Sequence, residues 1–362
     1  MGDLSLMSLV DPKTDQSSMN ILNQEISDTH FVKHSMFRAL WNMFKNLFCR
    51  LPFQVAYYHN SLFTKKLKEL LKVQHYDLVY CHLIRMAPYA EICSNAKVIL
   101  DYTDCISLEY GRRLEHLRGF RKIFFGIEAN RTASYELALA HKFDENWVIS
   151  PVDLRSLGLV EHNKSIIMPN QVPIPKLEAD YSFKSRLIFT GNMSVPHNVM
   201  AAQNVCRKIM PALLRKYPSL NFTIVGANPS ADIMSLNNVN NTAVLGFVDD
   251  LYQELRSSDI FIAPLYFSAG IQNKALEAMA CGIPVITTPN VAKSLDAQDE
   301  VDLMIAEDNL AFVKKTEFLI ENAKARKQIG KSGRALVLKK YSREAVINLL
   351  HKRIDKLLKQ GD

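Results

Sequence analysis

Short apolar runs alternate with helix-forming stretches along almost all of the 362-residue sequence, and glycines stand where several of those runs end. This alternation predicts an α/β protein with parallel sheets, since a parallel strand pair needs a crossover and the crossover is ordinarily a helix. The length and an apolar content of 48% exceed what one simple core requires and suit two domains.

Charge and cysteines narrow the class. Forty-four basic against 37 acidic residues leave a net charge of +7, without an Arg-rich or aromatic-interleaved patch, so nucleic acid is not an expected partner. The excess is compatible with phosphate-bearing substrates or an anionic membrane surface. Cys49, Cys81, Cys93, Cys105, Cys206 and Cys281 form no C-x-x-C pair and mostly sit in apolar runs, which predicts buried free thiols in a reducing compartment. The start, Met1-Gly2-Asp3-Leu4-Ser5, lacks the basic and apolar regions of a signal peptide, and no run approaches the ~20 apolar residues of a span. The expectation is a cytoplasmic protein, with any membrane contact peripheral and at the inner face.

In the first half, Leu4 to Val10 reads as a strand, and polar residues lead to a helix near Gln24 or His34. From His34 to Arg50, Phe37, Leu40, Trp41, Phe44, Leu47 and Phe48 form one helical stripe with Arg38, Lys45 and Arg50 at its margins. An interfacial membrane helix has that pattern. Packing against a sheet explains it equally well and is favoured by the base rate of buried apolar faces. A basic helix over Ser61 to Val73, a strand over Tyr76 to His82, a helix over Ile84 to Glu91 and a strand over Lys97 to Tyr102 follow. A long helix through Glu128 to Glu136, a strand over Glu145 to Ser150, a helix from Pro151 and the segment Ser165 to Asn170 close this half.

Ligands of open α/β sheets bind where strands end, so His82, Arg85, Asp104, Ser107 and Arg113 are candidate cleft residues. Each has a local alternative: Asp104 or Ser107 as the cap of the next helix, His82 as a satisfied half-buried imidazole.

The proline-bearing stretch 171–183 has little hydrophobic pattern and reads as a linker. A second domain then opens with the strand Arg186 to Thr190, the loop Gly191-Asn192 and a helix over Val199 to Leu214. Strands Asn221 to Val225 and Ala243 to Val248 follow; for Gly226, relief of a tight turn is an adequate reading.

The most informative stretch begins at Asp259. Ile260 to Leu265 is a short apolar run suited to a strand buried on both faces, and Gln272 to Cys281 holds good helix formers. Gly282 stands at the helix stop, Pro284 blocks continuation, and Ile283 to Thr288 re-enters the sheet. The loop through Gly270, Ile271, Gln272 and Asn273 therefore lies at the carboxyl edge of the strands, where free amides of the helix start make an anion site. Lys274 and Glu277 share one helix face, one suited to a phosphate and the other to a pair of sugar hydroxyls. Read alone, they are better taken as an ordinary exposed helix pair. A last strand over Val301 to Ala306 and helices at Asn309 to Ala323, Ala325 to Lys340 and Arg343 to Lys359 end the chain.

The run Gly270-Ile271-Gln272-Asn273-Lys274-Ala275-Leu276-Glu277-Ala278-Met279-Ala280-Cys281-Gly282-Ile283-Pro284-Val285 resembles the donor-site motif of family 4 glycosyltransferases of the GT-B fold, bacterial exopolysaccharide type. Phe189-Thr190-Gly191-Asn192-Met193 resembles that family's Phe-Thr-Gly-x-Met opening. The phrases His82 to Tyr89 and Asp101 to Leu108 recur on its acceptor side. The resemblance covers most of the chain, specifically from Gly270 to Val285 and more generally before Asn170.

It implies two Rossmann-like domains facing across a cleft: residues 1–170 on the acceptor side, linker 171–183, donor domain 184–340, and a helix at 341–362 packing back. It implies a nucleotide-sugar donor, with its diphosphate at the glycine amides and Lys274, its ribose at Glu277, and its base at the backbone of Phe247 and Val248. A glycan or lipid-linked acceptor would meet His82, Arg85 and Asp104, with sugar transfer retaining configuration in surface polysaccharide synthesis. No cofactor is expected, and no Asp-x-Asp metal pair is evident. The sequence departs from the family at Ala269, where many members carry a glutamate, and in its expected start at the family's second strand, a truncation. Those departures leave two other readings: a non-catalytic nucleotide-sugar-binding subunit, or a GT-B-type epimerase.

Overall fold

The computed structural model describes residues 3–11, 16–46, 49–114, 117–160, 162, 164–176, 181–266 and 270–359. The chain divides into two compact units, one of residues 1–147, 156–166 and 356–362, the other of residues 148–155 and 167–355.

Before residue 170 the strands are β1 (Ser5–Val10), β2 (Asp28–Lys33), β3 (Leu78–His82), β4 (Lys97–Thr103), β5 (Glu145–Val148) and β6 (Ser165–Ile167). β1 and β2 pair in parallel as a two-stranded sheet, from Ser5 opposite Asp28 to Val10 opposite Lys33. The other four form a second sheet in the order β3-β4-β5-β6, with β3 and β4 parallel.

β2 is a strand that the sequence reading passes over. Its Asp28, Thr29, His30 and Lys33 dilute the apolar signal to Phe31 and Val32. What holds it is distant in the chain: Val32 is buried with Phe63 and Tyr89. The helix expected over Ile84 to Glu91 is a 3-10 turn, Ile84–Met86, followed by the short helix Ala87–Ala90.

The helix Met36–Lys45 corrects the expectation of a buried stripe. Only Ala39 is buried on it, while Phe37 is 88% and Trp41 58% exposed, and Leu40 and Phe44 are exposed as well. Leu47 and Phe48 lie outside the described residues. Periodicity establishes that a helix has an apolar face but not what covers it. Likewise Cys49 is exposed, whereas the other five thiols are buried.

The second unit is built on β7 (Arg186–Thr190), β8 (Asn221–Val225), β9 (Thr242–Gly246), β10 (Ile260–Ala263), β11 (Val285–Thr287) and β12 (Met304–Ile305), in the order β12-β11-β10-β7-β8-β9. All five pairings are parallel. β7 and β10 lie at the centre, so both faces are covered and both read as unbroken apolar runs; Ile188, Phe189, Phe261 and Ile262 are completely buried. The strand order reverses between β7 and β10. In an open parallel sheet that reversal leaves a crevice at the carboxyl edge. Among the described residues no helix is long and apolar enough to cross a membrane.

Candidate functional site

Four loops leave the carboxyl edge of the second sheet side by side: after β10 toward Gly270, after β7 at Gly191, after β8 at Gly226 and after β9 at Phe247. At the two centre loops glycine is a packing requirement. A Cβ on Gly226, whose φ is +151°, would stand 1.8 Å from the carbonyl oxygen of Gly191, so the two loops touch backbone to backbone. Gly226 is thus a point of close approach and not merely a relieved turn. A Cβ on Gly191 would come 2.8 Å from Asn198 Nδ2 and 3.1 Å from Lys274 Cε.

Asn198 ties this loop down. It is buried in the helix Pro196–Asn204, and its Nδ2 donates to the Asn192 carbonyl at 2.9 Å. The Asn192 side chain accepts from the Ser194 amide at 3.0 Å and hydroxyl at 2.8 Å. Asn198 Oδ1 and Thr190 Oγ1 are buried without a hydrogen-bond partner among the described residues.

Lys274 enters from the helix Asn273–Ala280, whose first-turn amides face the same edge. The helix forms where Gly270, with φ +65°, turns the chain after β10 and the Gln272 carbonyl accepts from the amides of Ala275 and Leu276. Ile271 and Gln272 are buried and Asn273 is exposed. The Lys274 ammonium donates to Gln272 Oε1 at 2.8 Å. Burial pushes it down to about 8, against the pull of the Glu277 carboxylate. Burial pushes Glu277 up, with Lys274 opposing. Both are half-buried, so the ordinary exposed-pair reading does not hold.

His197, which sequence reasoning missed, completes the cluster. Burial first and Lys274 second push its imidazole down to about 4, which leaves it neutral at pH 7. It also borders a groove of about 550 Å³ lined by Met200, Arg207, Pro264, Tyr266 and Asp308. Gly191, Lys274, Gln272 and Glu277 are thus brought together. Phe247, 74% exposed, and the half-buried Val248 lie at the same edge beyond Gly246, whose carbonyl accepts from the Gly226 amide at 2.7 Å. Ala269 lies outside the described residues.

In the first unit, His82 ends β3 with its Nδ1 3.2 Å from Asp101 Oδ2. The same carboxylate accepts from the Tyr80 hydroxyl, and from the Thr103 amide at 2.8 Å. Burial raises the Asp101 carboxyl, but the bonds from His82, Tyr80 and Thr103 outweigh it and hold the group below the ordinary range. Asp101 is a partner of His82 that the sequence reading does not single out, although its place opposite His82 follows from the β3–β4 register.

The other first-half candidates have partners of their own. Arg85 stacks on the Tyr58 ring at 4.5 Å, and Arg113 pairs with Glu109 at 2.9 Å. Asp104 is exposed in the turn after β4. At the start of the helix Ile106–Leu114, buried Glu136 accepts from the Ile106 amide at 2.9 Å and the Ser107 amide at 3.4 Å.

An anion-accepting edge with one desolvated ammonium is the chemistry of diphosphate binding. Residues 184–322 match the family model described as Glycosyl transferases group 1. Over 367 aligned residues, 97% of this chain and 90% of the other, the chain is 20% identical to an uncharacterized 44.6 kDa protein in the cps region of Klebsiella pneumoniae. It is 28% identical over 135 residues, 36% of this chain and 35% of the other, to the capsular polysaccharide biosynthesis glycosyltransferase CapM of Staphylococcus aureus. Among solved structures, Anabaena Alr3699/HepE in complex with UDP is similar with a TM-score of 0.69 over 96% of this chain and 92% of that one, at 14% identity. These likenesses establish an α/β fold of the GT-B type, in which residues 184–322 are similar to group 1 glycosyl transferases.

Proposed function

We propose, from a group 1 glycosyl transferase domain at residues 184–322, that this protein moves a sugar from a nucleotide-sugar donor to a glycan or lipid-linked acceptor. The reaction belongs to surface polysaccharide synthesis, retains configuration at the anomeric carbon and takes place in the cytoplasm. The observation that supports it best is the desolvated Lys274 ammonium packed against Gly191 at the loop edge.

The chemical barrier is departure of a nucleoside diphosphate while positive charge grows on the anomeric carbon. Charge gathering on the leaving diphosphate is stabilised by the Lys274 ammonium and by amides at Gly191 and the start of the Asn273–Ala280 helix. Such donors are fixed before the reaction and cost no reorganisation. Glu277 accepts from ribose hydroxyls, and the backbone at Phe247 and Val248 meets the base. On the acceptor side, His82 with its Asp101 partner takes up the proton of the attacking hydroxyl, and Arg85 and Asp104 are further acceptor contacts.

Incubating the purified protein with radiolabelled nucleotide sugars and candidate acceptors tests the proposal. Uridine nucleotides come first because HepE is seen with UDP. Transfer of label to an acceptor supports it. Binding without turnover favours a non-catalytic subunit, and conversion of the free sugar nucleotide favours an epimerase.

A further inference from the structure

Beyond sugar transfer, the first unit carries an apolar face on two helices tied to the same short helix, Phe53–Tyr57. The first is Met36–Lys45, where Phe37, Leu40, Trp41 and Phe44 are exposed. The second is Phe120–Leu139, whose first turns expose Phe120 (81%), Ile123 (63%) and Ile127. The link between them is specific. Phe53 stacks on Phe124 at 5.5 Å, its amide donates to the buried Glu128 carboxylate at 2.6 Å, and Asn46 donates to the Leu51 carbonyl at 2.7 Å at the entry to the short helix. Both apolar-faced helices are therefore anchored to one segment.

Charge identifies the occupant. The stretch 34–51 contains Arg38, Lys45 and Arg50, the stretch 117–127 contains Arg118, Arg121 and Lys122, and neither holds an aspartate or glutamate. All six bases are exposed. The Lys45 ammonium lies 5.5 Å from the centre of the Trp41 ring, which itself stacks on Phe44 at 5.9 Å. Aromatic rings beside exposed cations, in two stretches free of acidic residues, match the boundary between lipid headgroups and acyl chains. We propose that this face docks the protein on an anionic lipid bilayer.

The test uses the whole chain with vesicles of phosphatidylcholine, with or without phosphatidylglycerol. The protein is expected to sediment with the anionic vesicles at least ~10-fold more strongly than with neutral ones, and added salt is expected to release it. Arg121→Glu with Lys122→Glu should weaken binding ~10-fold or more. Trp41→Ser with Phe44→Ser should do the same, and because these side chains are exposed the thermal unfolding midpoint should stay put. Trp147 is buried, so Trp41 reports the contact: its emission should shift to the blue on anionic vesicles, and Trp41→Phe should keep binding while losing the shift. Equal affinity for neutral and anionic vesicles, no binding to either, or a dimer that the same substitutions dissociate would each overturn the proposal.

Discussion

A methyl group on Gly191 would stand 3.1 Å from the Cε of Lys274. The loop after the first strand of the second sheet thus fixes where the ammonium from the fourth strand's helix can lie. This contact joins the loop edge proposed to hold a diphosphate to a desolvated cation.

Gly191→Ala is therefore expected to displace Asn198 and Lys274 together, costing about 1–3 kcal/mol of stability. Nucleoside diphosphate affinity should fall ~10-fold or more, while nucleoside affinity changes little. Denaturant unfolding and calorimetric titration read the two effects.

Gly226→Ala has no such outlet, because its Cβ would meet the backbone of Gly191 at 1.8 Å and not a movable side chain. The expected loss is about 3 kcal/mol or more. Gly111, exposed in the helix Ile106–Leu114 with open space around its Cβ position, is the contrast. There alanine should stabilise by roughly 0.5–1 kcal/mol. Chemical denaturation of the two variants should move in opposite directions.

Diphosphate binding should depend on pH through Lys274. The ammonium sits at about 8, so it is charged below that pH and neutral above it. Affinity for a nucleoside diphosphate should fall as pH rises from about 7 to about 9, and nucleoside affinity should not. In Lys274→Arg, whose guanidinium stays charged, the slope should vanish. Titrations across that range would show it.

Glu136→Ala removes the buried carboxylate that accepts from the amides of Ile106 and Ser107. Leaving those amides unpaired should cost about 1–3 kcal/mol. A melting curve measures it, with Glu136→Gln as the comparison: its side-chain oxygen still accepts from these amides, so the midpoint should shift far less.

The segment proposed as the donor side was legible as structure because it is contiguous: Gly270 to Glu277 is loop and first helical turn in one run after β10. The missed partners come from elsewhere in the chain. His197 reaches Lys274, and Asn198 the Gly191 loop beside it, only because β7 and β10 are neighbours in the sheet. Asp101 meets His82 through strand register, and Glu136 caps a helix that begins thirty residues earlier. The Met36–Lys45 stripe shows the other limit, since an apolar face has the same spacing whether a sheet, a lipid surface or water lies against it.

The central claim is that Lys274 grips a diphosphate, and calorimetric titration of the native protein and Lys274→Ala with a nucleoside diphosphate and its parent nucleoside tests it most directly. The account predicts a loss of ~10-fold or more for the diphosphate, with the nucleoside nearly unchanged. An equal loss for both ligands, or none for either, would contradict it.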